Sequence, residues 1–153
     1  MAVFLVQHGK SLPKEINAEC PLSDEGRQIV EDIARTAAAY KLKVSLIHHS
    51  GKLRARETAE IMACFLKPAG GIHAVPGLNP LDDVTAAAHQ LDSARNIMLV
   101  GHLPFLERLV SYLITGSPDR PVVKFQNGGI VCLDRQPDPE AWFIKWMLLP
   151  VIE

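Results

Sequence analysis

The chain begins with an unbroken apolar run, Ala2 to Val6, that stops at Gln7-His8-Gly9. A short run closed by Gly predicts a strand buried on both faces. A polar loop from about Ser11 to Pro21 follows. Ser23 is then placed to cap a helix, with Asp24 and Glu25 in its first turn. Beyond it Ile29, Val30, Ile33, Ala34, Ala37 and Tyr40 recur at helical spacing. Val44 to Ile47 predicts a short strand ending in His48-His49-Ser50. Leu53, Ile61, Met62, Phe65 and Leu66 form one face of a second helix, stopped by Pro68 and Gly70-Gly71. A strand-like stretch, Ile72 to Val75, leads through Pro76, Gly77 and Pro80 to a third helix with Val84, Ala87, Ala88 and Leu91 inward. Ile97 to Val100 is again continuously apolar and ends in Gly101-His102-Leu103. Pro104 suits the first turn of a fourth helix, whose inner stripe is Phe105, Leu106, Leu109, Val110 and Leu113. The tail predicts three more strands, Val122 to Phe125, Ile130 to Asp134 and Trp142 to Leu149, the first two joined as a hairpin by Asn127-Gly128-Gly129.

Strands alternating with helices over two-thirds of the chain predict an α/β fold. It is a three-layer α/β/α sandwich with a mostly parallel central sheet and antiparallel edge strands from the tail. No repeat, low-complexity tract or linker interrupts the pattern, so residues 1–153 are expected to form one domain. Charge changes the picture only by exclusion. Sixteen basic residues stand against 17 acidic ones, a net charge of -1, with no basic cluster to bind nucleic acid or an anionic membrane. The first apolar run is too short for a signal peptide and lacks a basic region, and no run has the length of a membrane span. Three scattered cysteines, Cys20, Cys64 and Cys132, speak against a disulfide framework or a cysteine zinc site. The expectation is a reduced, cytoplasmic protein.

Two of the buried strands end in a histidine: FLVQHGK and IMLVGHLPF. In open α/β sheets ligands bind beyond the carboxyl ends of the strands, so His8 and His102 are placed to meet over one pocket. Each taken alone is better explained as a strand-end side chain bonded to a nearby carbonyl. SGKLRARETAEIM adds Ser50 at a strand end and Arg54 in the first turn of the next helix. A guanidinium beside a helix N-terminus is a natural phosphate site. Arg56 reads as an ordinary surface charge.

Taken together and in order, LVQHGK, PLSDEGR, SGKLRARETAE and LVGHLPFLERL resemble the histidine phosphatase superfamily, the phosphoglycerate mutase-like proteins. The length, the PLSDEG block and KFQNGGIVCLD are similar to the compact phosphohistidine phosphatase branch. The resemblance implies that His8 is a nucleophile forming a phosphohistidine intermediate, and that Arg54 and His102 bind the equatorial phosphate oxygens. Gln7, Gly9 and Lys10 would join Arg54 and His102 in holding the substrate. It further implies a phosphorylated protein (phosphohistidine) or a small phosphate ester as partner, and no cofactor or metal.

The chain departs from the family pattern at three positions. Gln7 stands where the family has Arg, Cys20 where this branch often has Arg, and Glu57 where Gln is common. The first two make the pocket less cationic, while Glu57 is expected to face solvent. An attenuated or non-catalytic phosphate- or phosphoprotein-binding module is the alternative function. Lys10 is a candidate to restore some of the missing charge. For a general acid the candidates are Asp82, Asp83, Glu15 and Glu19, although Asp82 and Asp83 read better as a helix cap and first-turn acid. A zinc site built from His8, His48, His49 and His102 is the weakest alternative, because the spacing matches no known ligand motif.

Overall fold

The computed structural model describes residues 1–152. Six strands form one sheet: β1 (Val3–Gln7), β2 (Leu46–His49), β3 (Ile72–Ala74), β4 (Ile97–Gly101), β5 (Ile130–Pro137) and β6 (Glu140–Leu148). Their spatial order is β3-β2-β4-β1-β5-β6. The first four strands run parallel, and β5 and β6 add antiparallel to the β1 side. Four helices cover the sheet: α1 (Asp24–Ala39), α2 (Leu53–Leu66), α3 (Val84–Gln90) and α4 (Phe105–Thr115).

The two-residue period of the strands divides the core in two. Phe4 and Val6 of β1, Met98 and Val100 of β4, and Ile130 and Cys132 of β5 pack with α1 and α2. Val3 and Leu5, Ile97 and Leu99, and Val131 and Leu133 pack on the other face with α3 and α4. This is why those strands carry continuous apolar runs: both faces are buried. Among the described residues no helix is long and apolar enough to cross a membrane.

The helix boundaries follow local chemistry. Ser23 Oγ accepts the Gly26 N–H at the start of α1 (3.0 Å), as its position predicts. Lys67 ends α2 in the left-handed region just before Pro68. Pro104 occupies the cap position of α4 and not its first turn.

Two expectations for the strands fail. Val122 to Phe125 is not a strand, and Asn127-Gly128-Gly129 closes no hairpin. The slot beside β1 is filled by β5, so the segment crosses the α4 face. There Phe125 is buried in the core and its N–H donates to Glu107 Oε1 (3.4 Å). The real hairpin is β5–β6, turning at Asp138-Pro139. The second correction is a shift of β2 by two residues, so that His48 and His49 lie within the strand. Their backbones pair with β3 and β4 regardless of side-chain polarity, in the registers His48↔His73 and His49↔Val100.

Candidate active site

His8 and His102 leave the carboxyl ends of adjacent parallel strands, with Gln7 opposite Gly101 in register. The His8 N–H continues the ladder to the Gly101 carbonyl (3.0 Å). Their rings come together with centroids 5.0 Å apart. Arg54, in the first turn of α2, reaches the same place, its Nε–H directed at His8 Nε2 (3.4 Å). The structure thus brings His8, Arg54 and His102 to one point from three segments.

His8 is held in a defined state. Its Nδ1 lies 2.7 Å from the Gly9 carbonyl. A carbonyl only accepts, so Nδ1 carries the proton and Nε2 keeps its lone pair. Burial and the Arg54 charge hold the ring's pKa below the ordinary histidine value, although the Gly9 bond works the other way. The ring is neutral at pH 7.

The backbone around it is fixed from far along the chain. Gly9 N–H donates to Thr58 Oγ1 (2.9 Å), whose own hydroxyl donates to the Arg54 carbonyl (2.8 Å). Asn127 Nδ2 donates to the His8 carbonyl (3.0 Å), and Gly128 N–H to the Gln7 carbonyl (2.9 Å). A Cβ at Gly9 would stand 2.7 Å from a Val30 methyl, so this close approach requires glycine. The Gly9 amide and carbonyl are both used within the fold.

His102 is 1% exposed, and burial, followed by the His8, Arg54 and Lys52 charges, drives its pKa down to about 3. Ser50 Oγ lies 2.6 Å from its Nε2, whereas its Nδ1 is buried without a protein partner. Gln7 Oε1 is likewise buried and unpartnered. The helices that follow β2 and β4, α2 and α4, both start without a side-chain cap, unlike α1 and α3. Both helices follow the carboxyl ends of parallel strands, so their N-termini and positive dipole ends lie at the sheet edge where the two histidines meet.

Other candidates are placed elsewhere. Lys10 Nζ pairs with Glu25 at the surface (3.1 Å). Arg56 pairs with Glu60 one turn along α2 (3.5 Å). Asp83 caps α3 by accepting from Thr85, and Asp82 accepts the Asn79 N–H. Glu15 and Glu19 are exposed on the loop after β1, and Cys20 ends that loop in the left-handed region. Glu57 does not face solvent, contrary to expectation. It accepts from Leu22 N–H (2.9 Å) and Arg27 (2.7 Å), tying loop 11–22 and α1 to α2. His48 faces His73 across β2–β3, and His49 Nδ1 accepts the Gly51 N–H. Among the described residues no group of three or more His, Cys, Asp or Glu side chains is arranged to hold a metal ion. A cavity of about 630 Å³ lies beneath α3, walled by Val3, His48, Leu78, Ile97 and Leu99, and none of His8, Arg54 and His102 lines it.

Sequence reading alone did not single out Thr58 or Asn127 as site-builders. Thr58 stands one helical turn after Arg54, a spacing that puts both on one face. Asn127 was hidden by its Gly neighbours, which read as a hairpin turn.

No protein-family model matches the sequence, and neither does any curated protein. Solved structures do match. The protein histidine phosphatase SixA, in complex with tungstate, superposes with a TM-score of 0.84 at 22% identity, over 98% of this chain and 97% of that one. The putative phosphohistidine phosphatase SixA from Agrobacterium tumefaciens gives a TM-score of 0.76 at 24% identity, over 97% of each chain. A phosphoserine phosphatase from Entamoeba histolytica in complex with 3-phosphoglyceric acid gives 0.73 at 14% identity, over 96% of each. With its α/β order, sheet topology and near-complete overlap, this chain has the phosphoglycerate mutase-like fold of the histidine phosphatases.

Proposed function

We propose that this protein is a phosphatase that takes a phosphoryl group from phosphohistidine on a protein, or from a small phosphate monoester, onto His8. The observation that carries the reading is the state of His8: Nδ1–H is committed to the Gly9 carbonyl, and the Nε2 lone pair meets the Arg54 Nε–H, with the His102 ring 5.0 Å away. In the first step the Nε2 lone pair bonds to phosphorus and the bond to the leaving group breaks. In the second, water attacks phosphorus, the P–Nε2 bond breaks and inorganic phosphate leaves. Arg54 and the N-termini of α2 and α4 supply positive potential where charge gathers on the equatorial oxygens. The mechanism asks for no metal.

The carboxylates support the phosphohistidine half of the reading. Asp83 caps α3, Asp82 accepts the Asn79 N–H in the turn before it, and Glu15 and Glu19 stand in solvent. An alkoxide leaving group needs a proton from such an acid, whereas an imidazole nitrogen leaves with far less help. The solved phosphatases with this fold include proteins described as phosphohistidine phosphatases, in keeping with that choice. Gln7 favours a second, slower version of the same activity, because a neutral amide replaces a guanidinium beside the nucleophile.

Rapid quenching after mixing with labelled phosphohistidine protein is expected to trap label on wild type and none on His8→Ala. Equal labelling of the variant would place the nucleophile elsewhere. Label that accumulates in wild type without release of phosphate would identify the attenuated form. Loss of turnover on chelation would refute the metal-free mechanism.

A further inference from the structure

The two histidines of the site are bonded to different kinds of partner. His8 Nδ1 meets a carbonyl, which can only accept. His102 Nε2 meets the Ser50 hydroxyl at 2.6 Å, and a hydroxyl can also donate. His102 Nδ1 is buried with nothing in the fold to bond to, and an orphaned polar atom of that kind calls for a missing partner.

We propose that Ser50 is a positioning residue: its O–H donates to His102 Nε2 and so fixes the proton on Nδ1, making His102 a neutral N–H donor to the bound phosphoryl group. The inference rests on the phosphate-site reading above. Three observations support it. The ring is neutral at pH 7, so it has one N–H to give, and the Ser50 contact decides where that N–H lies. With the opposite tautomer, a bare Nδ1 lone pair would repel phosphate oxygens and remain unpaired. The Lys52 backbone N–H also points at Ser50 Oγ (3.4 Å), which uses the oxygen as an acceptor and leaves its hydrogen for Nε2. The two rings, 5.0 Å apart, then share one tautomer for opposite ends. In His8 the Nδ1 proton is used within the fold and Nε2 keeps the lone pair for attack, met by the long Arg54 Nε–H contact, while in His102 Nε2 is used and the Nδ1 proton is left to donate.

Long-range nitrogen–proton NMR on ¹⁵N-histidine-labelled protein, read with inorganic phosphate or vanadate bound, tests this without requiring turnover. In wild type the His102 proton is expected on Nδ1. A proton on Nε2 in the anion-bound protein would overturn the proposal, whether or not the protein proves to be a phosphatase. Ser50→Ala is expected to move the proton onto Nε2 and weaken vanadate binding by roughly tenfold to a hundredfold. Ser50→Thr, which keeps a hydroxyl donor, is expected to restore both. If Ser50→Ala leaves the tautomer and the affinity unchanged, Ser50 positions nothing. If wild type shows the Nδ1 proton and binds vanadate yet hydrolyses no phosphate compound, the phosphatase reading fails and the role of Ser50 in the anion site stands.

Discussion

At the scale of single residues, the proposed mechanism makes the difference between Gln7 and an arginine a difference in transition-state charge. Gln7 brings one neutral N–H₂ and leaves its Oε1 buried without a partner. Gln7→Arg is therefore expected to raise turnover of phenyl phosphate, with an upper bound of about 3 kcal/mol, or roughly a hundredfold. The pocket was not shaped for the larger fork, so the gain should fall short of that bound. Gln7→Ala is expected to lower activity, because even a neutral donor helps. Initial rates on phenyl phosphate and on a phosphohistidine protein check both variants. Variants matching wild type on both substrates would show that Gln7 does not face the phosphate. The substitution itself was plain in the sequence, since a strand end in front of His-Gly shows which residue stands there. Which partners surround it was not. Lys10 is two residues from His8 along the chain, yet its ammonium is paired with Glu25, a contact set by the start of α1.

Among the elements, the joint that matters most to the site is the one between α1, loop 11–22 and α2. Glu57 makes it, with Arg27 on one carboxylate oxygen and Leu22 N–H on the other. The pair is partly buried, Glu57 being 18% exposed and Arg27 42%, so the ion pair alone is worth less than its distance suggests. Glu57→Ala also strands the Leu22 N–H, and the combined loss is expected at about 1–2 kcal/mol. Urea unfolding measures it. Glu57→Gln keeps an acceptor for Leu22 and should lose less than Glu57→Ala; equal losses would mean that charge alone makes the joint. Helical and strand periods made α1, α2, α4, β1 and β4 readable, because each has one apolar face or two. The same periods misplaced Val122 to Phe125. An apolar run reports that a segment is buried, not whether the sheet has room for it, and β5 had taken the place beside β1. Glu57 was illegible for a related reason: its partners, Leu22 and Arg27, are 35 and 30 residues away.

Across the whole molecule, burial of histidines makes the fold sensitive to acid. His8, His48, His49 and His102 all have their pKa lowered, in each case chiefly by burial, and His102 to about 3. Above pH 6.5 these rings are neutral in folded and unfolded chains alike, and they contribute no pH dependence. Below it the unfolded chain takes up protons that the folded one refuses, so stability falls as pH falls. His102 alone should cost about 1.4 kcal/mol for each pH unit between 6.5 and its folded value. Melting temperatures measured from pH 7 to pH 4 are expected to drop, and His102→Asn should flatten the slope by about one proton. A slope unchanged by the substitution would show that His102 is protonated in the fold. One further consequence belongs to the turn at Asn127-Gly128, which reaches back 119 residues to hold the His8 carbonyl. A chain emerging from the ribosome exposes His8 first, then Arg54, then His102, and only afterwards the turn that steadies the first of them. The proposed nucleophile is made early and becomes usable late. Any chemistry at His8 therefore waits until the chain has been made at least as far as Gly128.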